Sequence, residues 1–168
     1  MIDHREIPSV DGEDYEKHWN FTDFKDKVIL DIGADHGSTA SFFVKKGAKK
    51  IIAVEGNPNQ YKQLEYIFGS DPDVTCVFLW IDKPIHFISL FQKYNPDIVK
   101  IDIEGNESYL LQIPKEIFRM IKVYLIEIHS GLLKDQFVFK LDKYGYSIGI
   151  EYARPRTEVI VAIRNDST

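Results

Sequence analysis

The stretch Val28–Gly37, reading VILDIGADHG, constrains this chain more than any other. Val28, Ile29 and Leu30 lead into Asp31, and then Gly33 and Gly37 interrupt. A short apolar run that stops at glycines reads as a buried strand entering a tight loop. Ser38, Thr39 and Ala40 follow, then Phe42, Phe43 and Val44, so a helix begins at once. Strand, glycine loop and helix form the entry unit of a nucleotide-binding α/β domain.

The loop narrows the ligand. In the dinucleotide fingerprint G-x-G-x-x-G, the second glycine lets the backbone approach a pyrophosphate. Taking Gly33 as the first glycine, that place holds Asp35 and the third holds Ser38. A carboxylate there repels phosphate and suits a ligand with a cationic end, such as S-adenosyl-L-methionine (SAM). The alternative is a tight turn that binds nothing. A second apolar run, Ile51–Val54, ends in Glu55, which lies 22 residues past Gly33. An acidic residue about 20 residues beyond the glycine loop accepts bonds from ribose hydroxyls. The alternative is a solvated strand-end carboxylate.

Asn57 is a good N-cap and Pro58 a good first helical residue, predicting a helix through Tyr61, Leu64, Ile67 and Phe68 to Gly69. A third strand runs from Val74 to about Trp80. Trp80, Ile81 and Asp82 are candidates for the adenine pocket, although Trp80 also reads as plain core. A helix over 85–94 ends at Asn95-Pro96. The fourth strand lies in DIVKIDIEGNE, residues 97–107, where Lys100, Asp102 and Glu104 interrupt apolar residues with period two. Strict alternation normally means a half-exposed strand, yet strands in the middle of an α/β pattern are covered on both faces. Buried charges need partners or a function. Asp102 and Glu104 are therefore placed at the carboxyl end, with side chains pointing the same way. A fifth strand, Val123–Ile128, brings His129 to the same height. After a helix over 132–141, the runs 147–152 and 158–163 read as an antiparallel hairpin joined by Ala153-Arg154-Pro155-Arg156.

With 168 residues, 44% of them hydrophobic, the chain is expected to form one domain with an ordinary core. Residues 1–27 form an N-terminal segment, rich in aromatics near its end, that packs on a domain spanning 28–168. The net charge of −5 disfavours a broad nucleic-acid face. Cys76 is the single cysteine, which rules out an internal disulfide and argues against a zinc cluster. No apolar run approaches the ~20 residues of a membrane span. A cytoplasmic protein is expected.

Three stretches, ILDIGADHGSTASFFVKKGAKKIIAVEGNP, DIVKIDIEGNE and YLIEIH, resemble the FkbM family of SAM-dependent methyltransferases. The resemblance covers about Lys27 to His129. It implies a Rossmann-like class I methyltransferase of the α/β class: a mostly parallel twisted sheet, helices on both faces, closed by a C-terminal antiparallel hairpin. It implies SAM as cofactor, with Asp31, Gly33 and Gly37 in the donor loop and Glu55 on the ribose. Ala34, Asp35, Gly56, Asn57, Ile81, Asp82 and Asp102 complete the expected cofactor-binding set. It further implies O-methylation of a hydroxylated small molecule or sugar. Attack by a hydroxyl requires loss of its proton, so Asp102, Glu104 and His129 are the candidate catalytic residues, in that order. A metal held by Asp102, Glu104 and Glu107 is conceivable, but none is assigned. The first stretch also resembles archaeal tRNA guanine methyltransferases, whose Asn-Pro-Pro-Tyr run is replaced here by Asp102-Ile103-Glu104-Gly105. The alternatives are thus a nucleic-acid methyltransferase and a non-catalytic SAM-binding domain.

Overall fold

The computed structural model describes residues 14–154 and 157–166. Residues 1–13 of the N-terminal segment, and Pro155 and Arg156 of the hairpin connector, lie outside the described residues. The chain divides into two compact units, Met1–Trp80 and Ile81–Thr168.

The first unit contains α1 (Tyr15–Trp19), β1 (Val28–Ile32), α2 (Ser38–Lys45), β2 (Lys50–Glu55), α3 (Pro58–Phe68) and β3 (Val74–Phe78). Its strands are parallel in the order β3-β2-β1, with Val28 opposite Lys50 and Ile51 opposite Val74. Ile29, Leu30 and Ile51–Val54 are all buried, as expected where helices cover both faces of a parallel sheet. The expected cap of α3 is present: the Asn57 side chain accepts from the Asn59 and Gln60 N–H groups, and Pro58 opens the helix. Gly47, in the left-handed region, follows the end of α2. The strand expected to reach Trp80 stops at Phe78, and Trp80 is 61% exposed, so it is not core. From residue 14 onward the N-terminal segment packs within this unit. Trp19 and Phe24 are buried, and the Tyr15 hydroxyl donates to Ser38 Oγ at 2.9 Å.

The second unit contains α4 (Pro84–Tyr94), β4 (Ile98–Ile101), a 3-10 segment (Glu107–Gln112), α5 (Lys115–Phe118), β5 (Val123–Ile128), α6 (Gly131–Lys143), β6 (Tyr146–Arg154) and β7 (Thr157–Arg164). β4 and β5 are parallel, with Ile98 opposite Val123 and Ile101 opposite Ile126. The final two strands form the expected antiparallel hairpin. β7 inserts between β5 and β6, giving the order β4-β5-β7-β6. An aromatic cluster anchors the hairpin: the Tyr124 and Tyr146 hydroxyls both donate to the Phe118 carbonyl.

One expectation needs correction. β4 is four residues long, and all four are buried, Lys100 included. Asp102 and Glu104 lie beyond its end, so strand alternation does not align them. Glu104 and Gly105 both adopt positive φ, +53° and +109°, and this left-handed turn ends the strand.

Candidate functional site

In the first unit, the glycine loop is built by its own backbone. Gly33 and Gly37 take positive φ, and so does Asp35 at +52°, a conformation that Asp tolerates better than most residues. The Gly33 and Ala34 N–H groups both donate to the Val54 carbonyl, pinning the loop across the tips of β1 and β2. At Gly37 a Cβ would come within 2.5 Å of the Phe68 ring. Asp31, fully buried, accepts from the Thr39 hydroxyl at 2.6 Å and so joins the end of β1 to the first turn of α2. The Asp35 carboxylate lies 3.0 Å from His36 Nδ1.

Glu55 is not the solvated strand-tip carboxylate that the alternative reading required. Only 8% exposed, it accepts from the Asp35 N–H through Oε2 at 2.8 Å and from the Asn57 N–H through Oε1 at 2.6 Å. It therefore knits the glycine loop to the start of α3. Each carboxylate oxygen accepts more than one bond, so the same group retains capacity for a ribose hydroxyl. Gly56 lets the chain pass close to the exposed indole: a Cβ there would meet the Trp80 ring at 2.7 Å.

In the second unit, the charged residues of the DIEGNE turn converge on His129. Glu107, fully buried, accepts from the Gly105 N–H through both oxygens, at 3.0 and 3.2 Å. Its Oε1 also lies 3.3 Å from His129 Nδ1. The other imidazole nitrogen, Nε2, faces three further carboxylates: Glu104 at 3.5 Å, Glu127 at 3.8 Å and Asp102 at 3.9 Å. Lys100 Nζ, buried beneath, lies 3.9 Å from Asp102. The Asn106 side chain donates to the Ile81 carbonyl at 2.9 Å, tying the turn to the segment expected near the adenine. Asp82 itself sits at the start of α4, 3.4 Å from His86.

The electrostatics follow from these neighbours. The Glu107 bond lifts the His129 imidazole to about 9; burial opposes this, and Glu104 and Asp102 reinforce it. Burial pushes Asp102 up to about 7, with Lys100 opposing and Glu127 adding both charge repulsion and a shared hydrogen bond. Glu107 itself lies below the usual carboxylate range: burial raises it, but the His129 and backbone N–H bonds outweigh burial. The like-charge partner of Asp102 is thus buried Glu127, not Glu104, whose side chain is 84% exposed. At neutral pH His129 is a cation, and Asp102 is poised near its midpoint, where a general base works best. One ligand atom each from Asp102, Glu104 and His129 lies within 4.8 Å of the others, close enough for a divalent ion on geometry alone. Glu107, in the set considered from the sequence, is instead committed to His129 and Gly105. His129 and Lys100 already supply positive charge there.

No family model matches the chain. In sequence, it is 47% identical over 45 residues to the histone-arginine methyltransferases CARMER of Drosophila erecta and Drosophila sechellia. That match covers 26% of this chain and only 8% of those relatives. In structure, it is similar to a precorrin-6y C5,15-methyltransferase from Geobacter metallireducens, with TM-score 0.61 and 21% identity over 84% of this chain and 81% of that one. It is also similar to Aeropyrum pernix fibrillarin, which was solved with bound SAM, with TM-score 0.64 and 18% identity over 88% and 71% of the two chains. The fold is that of a SAM-dependent methyltransferase. A Methanococcus jannaschii fibrillarin, a pre-rRNA processing protein, is another relative in structure, with TM-score 0.64 and 19% identity over 85% and 69% of the two chains.

Within this methyltransferase fold, Lys100 and Glu127 were not among the expected site residues, and Glu107 was weighed only as a metal ligand. Two signals pointed to them: the charge alternation of KIDIEGNE and the Glu-x-His pair that ends β5.

Proposed function

We propose that the protein is a SAM-dependent methyltransferase of the FkbM type that methylates a hydroxyl oxygen of a small molecule or sugar. The observation that carries this is the acid–base cluster at the ends of β4 and β5, where Asp102, held near 7, stands beside the imidazole of His129. The donor loop supports it: Glu55 is buried at the tip of β2, held by the N–H groups of Asp35 and Asn57, and keeps acceptor capacity for a ribose hydroxyl. Asp31, Gly33, Ala34, Asp35, Gly37, Gly56 and Asn57, all in the first unit, are the residues of this reading's donor loop. The sulfonium is already activated, so catalysis is positioning of the hydroxyl plus removal of its proton. Asp102 takes that proton, with Lys100 and His129 stabilising the carboxylate. Glu104, exposed beside them, helps to receive the acceptor. A cytoplasmic setting suits the chain.

A second reading, a nucleic-acid methyltransferase, draws on the similarity to fibrillarins. The net charge of −5 argues against it. The test is S-adenosylhomocysteine release with a panel of hydroxylated metabolites and, separately, with transfer and ribosomal RNA. Turnover on a hydroxylated metabolite is expected. Turnover on RNA alone would favour the second reading. SAM binding without transfer to either would leave a non-catalytic SAM-binding domain.

A further inference from the structure

Glu107, a fully buried carboxylate of the second-unit cluster, does two things at once. Its oxygens accept the Gly105 N–H, and Oε1 also stands 3.4 Å from the Ile103 N–H, so the carboxylate closes the turn from within. The same Oε1 stands 3.3 Å from His129 Nδ1. The charged groups facing this imidazole are Glu107 from the start of the 3-10 segment, Asp102 and Glu104 from the turn, and Glu127 from β5, with Lys100 of β4 reaching it through Asp102. Of these, Glu107 alone meets Nδ1; the rest lie on the Nε2 side.

We infer that Glu107 is a positioning residue: by accepting the Nδ1–H it fixes the ring of His129 so that Nε2 faces Asp102 and Glu104, and by accepting the Gly105 N–H it holds the turn that carries those two carboxylates. The inference deepens the methyltransferase reading, because the group being positioned is the partner of the base. A carboxylate behind one imidazole nitrogen sets the tautomer, leaving the second nitrogen to interact in front. A neutral His129 therefore carries its proton on Nδ1, opposite to the Nε2–H form that free histidine prefers. A charged His129 presents Nε2–H toward Asp102 and stabilises that carboxylate when it ionises. Without Glu107 the ring can turn, and four remaining polar groups lose their common reference.

The test is nitrogen and carbon NMR of labelled protein, following His129 from pH 5 to 11, with no acceptor needed. In the unmodified protein the resonance is expected to titrate well above the ordinary histidine range and to finish as the Nδ1–H tautomer. Glu107→Gln keeps an acceptor oxygen of the same shape, so the tautomer should persist while the titration falls by at least one pH unit. Glu107→Ala should lose both. Should the Ala variant fail to fold, the Gln variant alone decides. A neutral His129 in the Nε2–H form, or an unchanged titration in Glu107→Gln, would overturn the inference. In a turnover assay, Glu107→Ala should lower kcat at least tenfold with the KM for SAM unchanged, whereas Glu107→Gln, which keeps the ring orientation, should restore most of kcat and displace its pH profile. If no acceptor is ever methylated while the NMR result holds, the methyltransferase reading fails and the positioning role stands.

Discussion

Replacing Glu55 separates its two tasks, support of the loop and contact with the ribose. In the structure each oxygen of Glu55 holds one backbone N–H, from Asp35 and from Asn57, at 2.8 and 2.6 Å. Glu55→Gln removes the charge and turns an amide N–H toward one of those donors, so one bond is lost and one is weakened. A hydrogen bond to a charged group contributes about 1.5–3 kcal/mol. Loss of the ribose bond should therefore weaken SAM binding by roughly 10- to 150-fold, at tenfold per 1.4 kcal/mol. Stability should fall as well, by about 1–3 kcal/mol, because a buried N–H loses its partner. The assay is calorimetric titration with S-adenosylhomocysteine and with its 2′,3′-dideoxy analogue, alongside urea denaturation. If Glu55 touches the ribose, the substitution weakens the first ligand far more than the second, because the second has no hydroxyls to lose. Equal weakening of both ligands would refute the ribose assignment and leave Glu55 as a loop tie alone.

Four further outcomes are expected. Calorimetry should show binding of SAM and S-adenosylhomocysteine but not of NAD, since Asp35 occupies the place where a pyrophosphate would need a glycine; NAD binding tighter than either would refute this. Gly37→Ala, which forces a side chain onto a backbone at φ +101° and into the Phe68 ring, should lower stability by about 2–4 kcal/mol, read as a shifted urea midpoint with unchanged slope. Two titrations bear on pH. Asp102, raised to about 7, is neutral below that pH and a base above it, so turnover should rise through about pH 7 and Asp102→Asn should abolish the rise. His129, raised to about 9, stabilises the fold fully below its ordinary value near 6.5 and loses that contribution as pH climbs through 9, so the melting temperature should drop across this window and do so less in His129→Gln.

Much of the first unit is legible in the sequence because its signals are local. An apolar run ending at glycines, a helix starting at Ser38, and the Asn57-Pro58 cap each depend on residues a few positions apart, and backbone sterics decide them. The position of Glu55 at the tip of β2 follows from one strand-helix-strand repeat, and the terminal hairpin from two β-type runs and a Pro-containing connector. Tertiary structure alone decided the rest. The alternation of Lys100, Asp102 and Glu104 suggests one continuous strand, but the left-handed turn at Glu104 and Gly105 ends β4 at Ile101, and the charges then sort by burial rather than by pleat. Glu107 meets His129 only because β4 and β5 lie side by side and parallel, so that the turn after one arrives beside the tip of the other across more than twenty residues of chain. Periodicity reports which way a side chain points from its own element. It carries no record of how deeply the turn is buried or of which distant charge shares that space: burial, with Glu127 adding repulsion, moves Asp102 toward neutrality, and Glu107 keeps His129 charged.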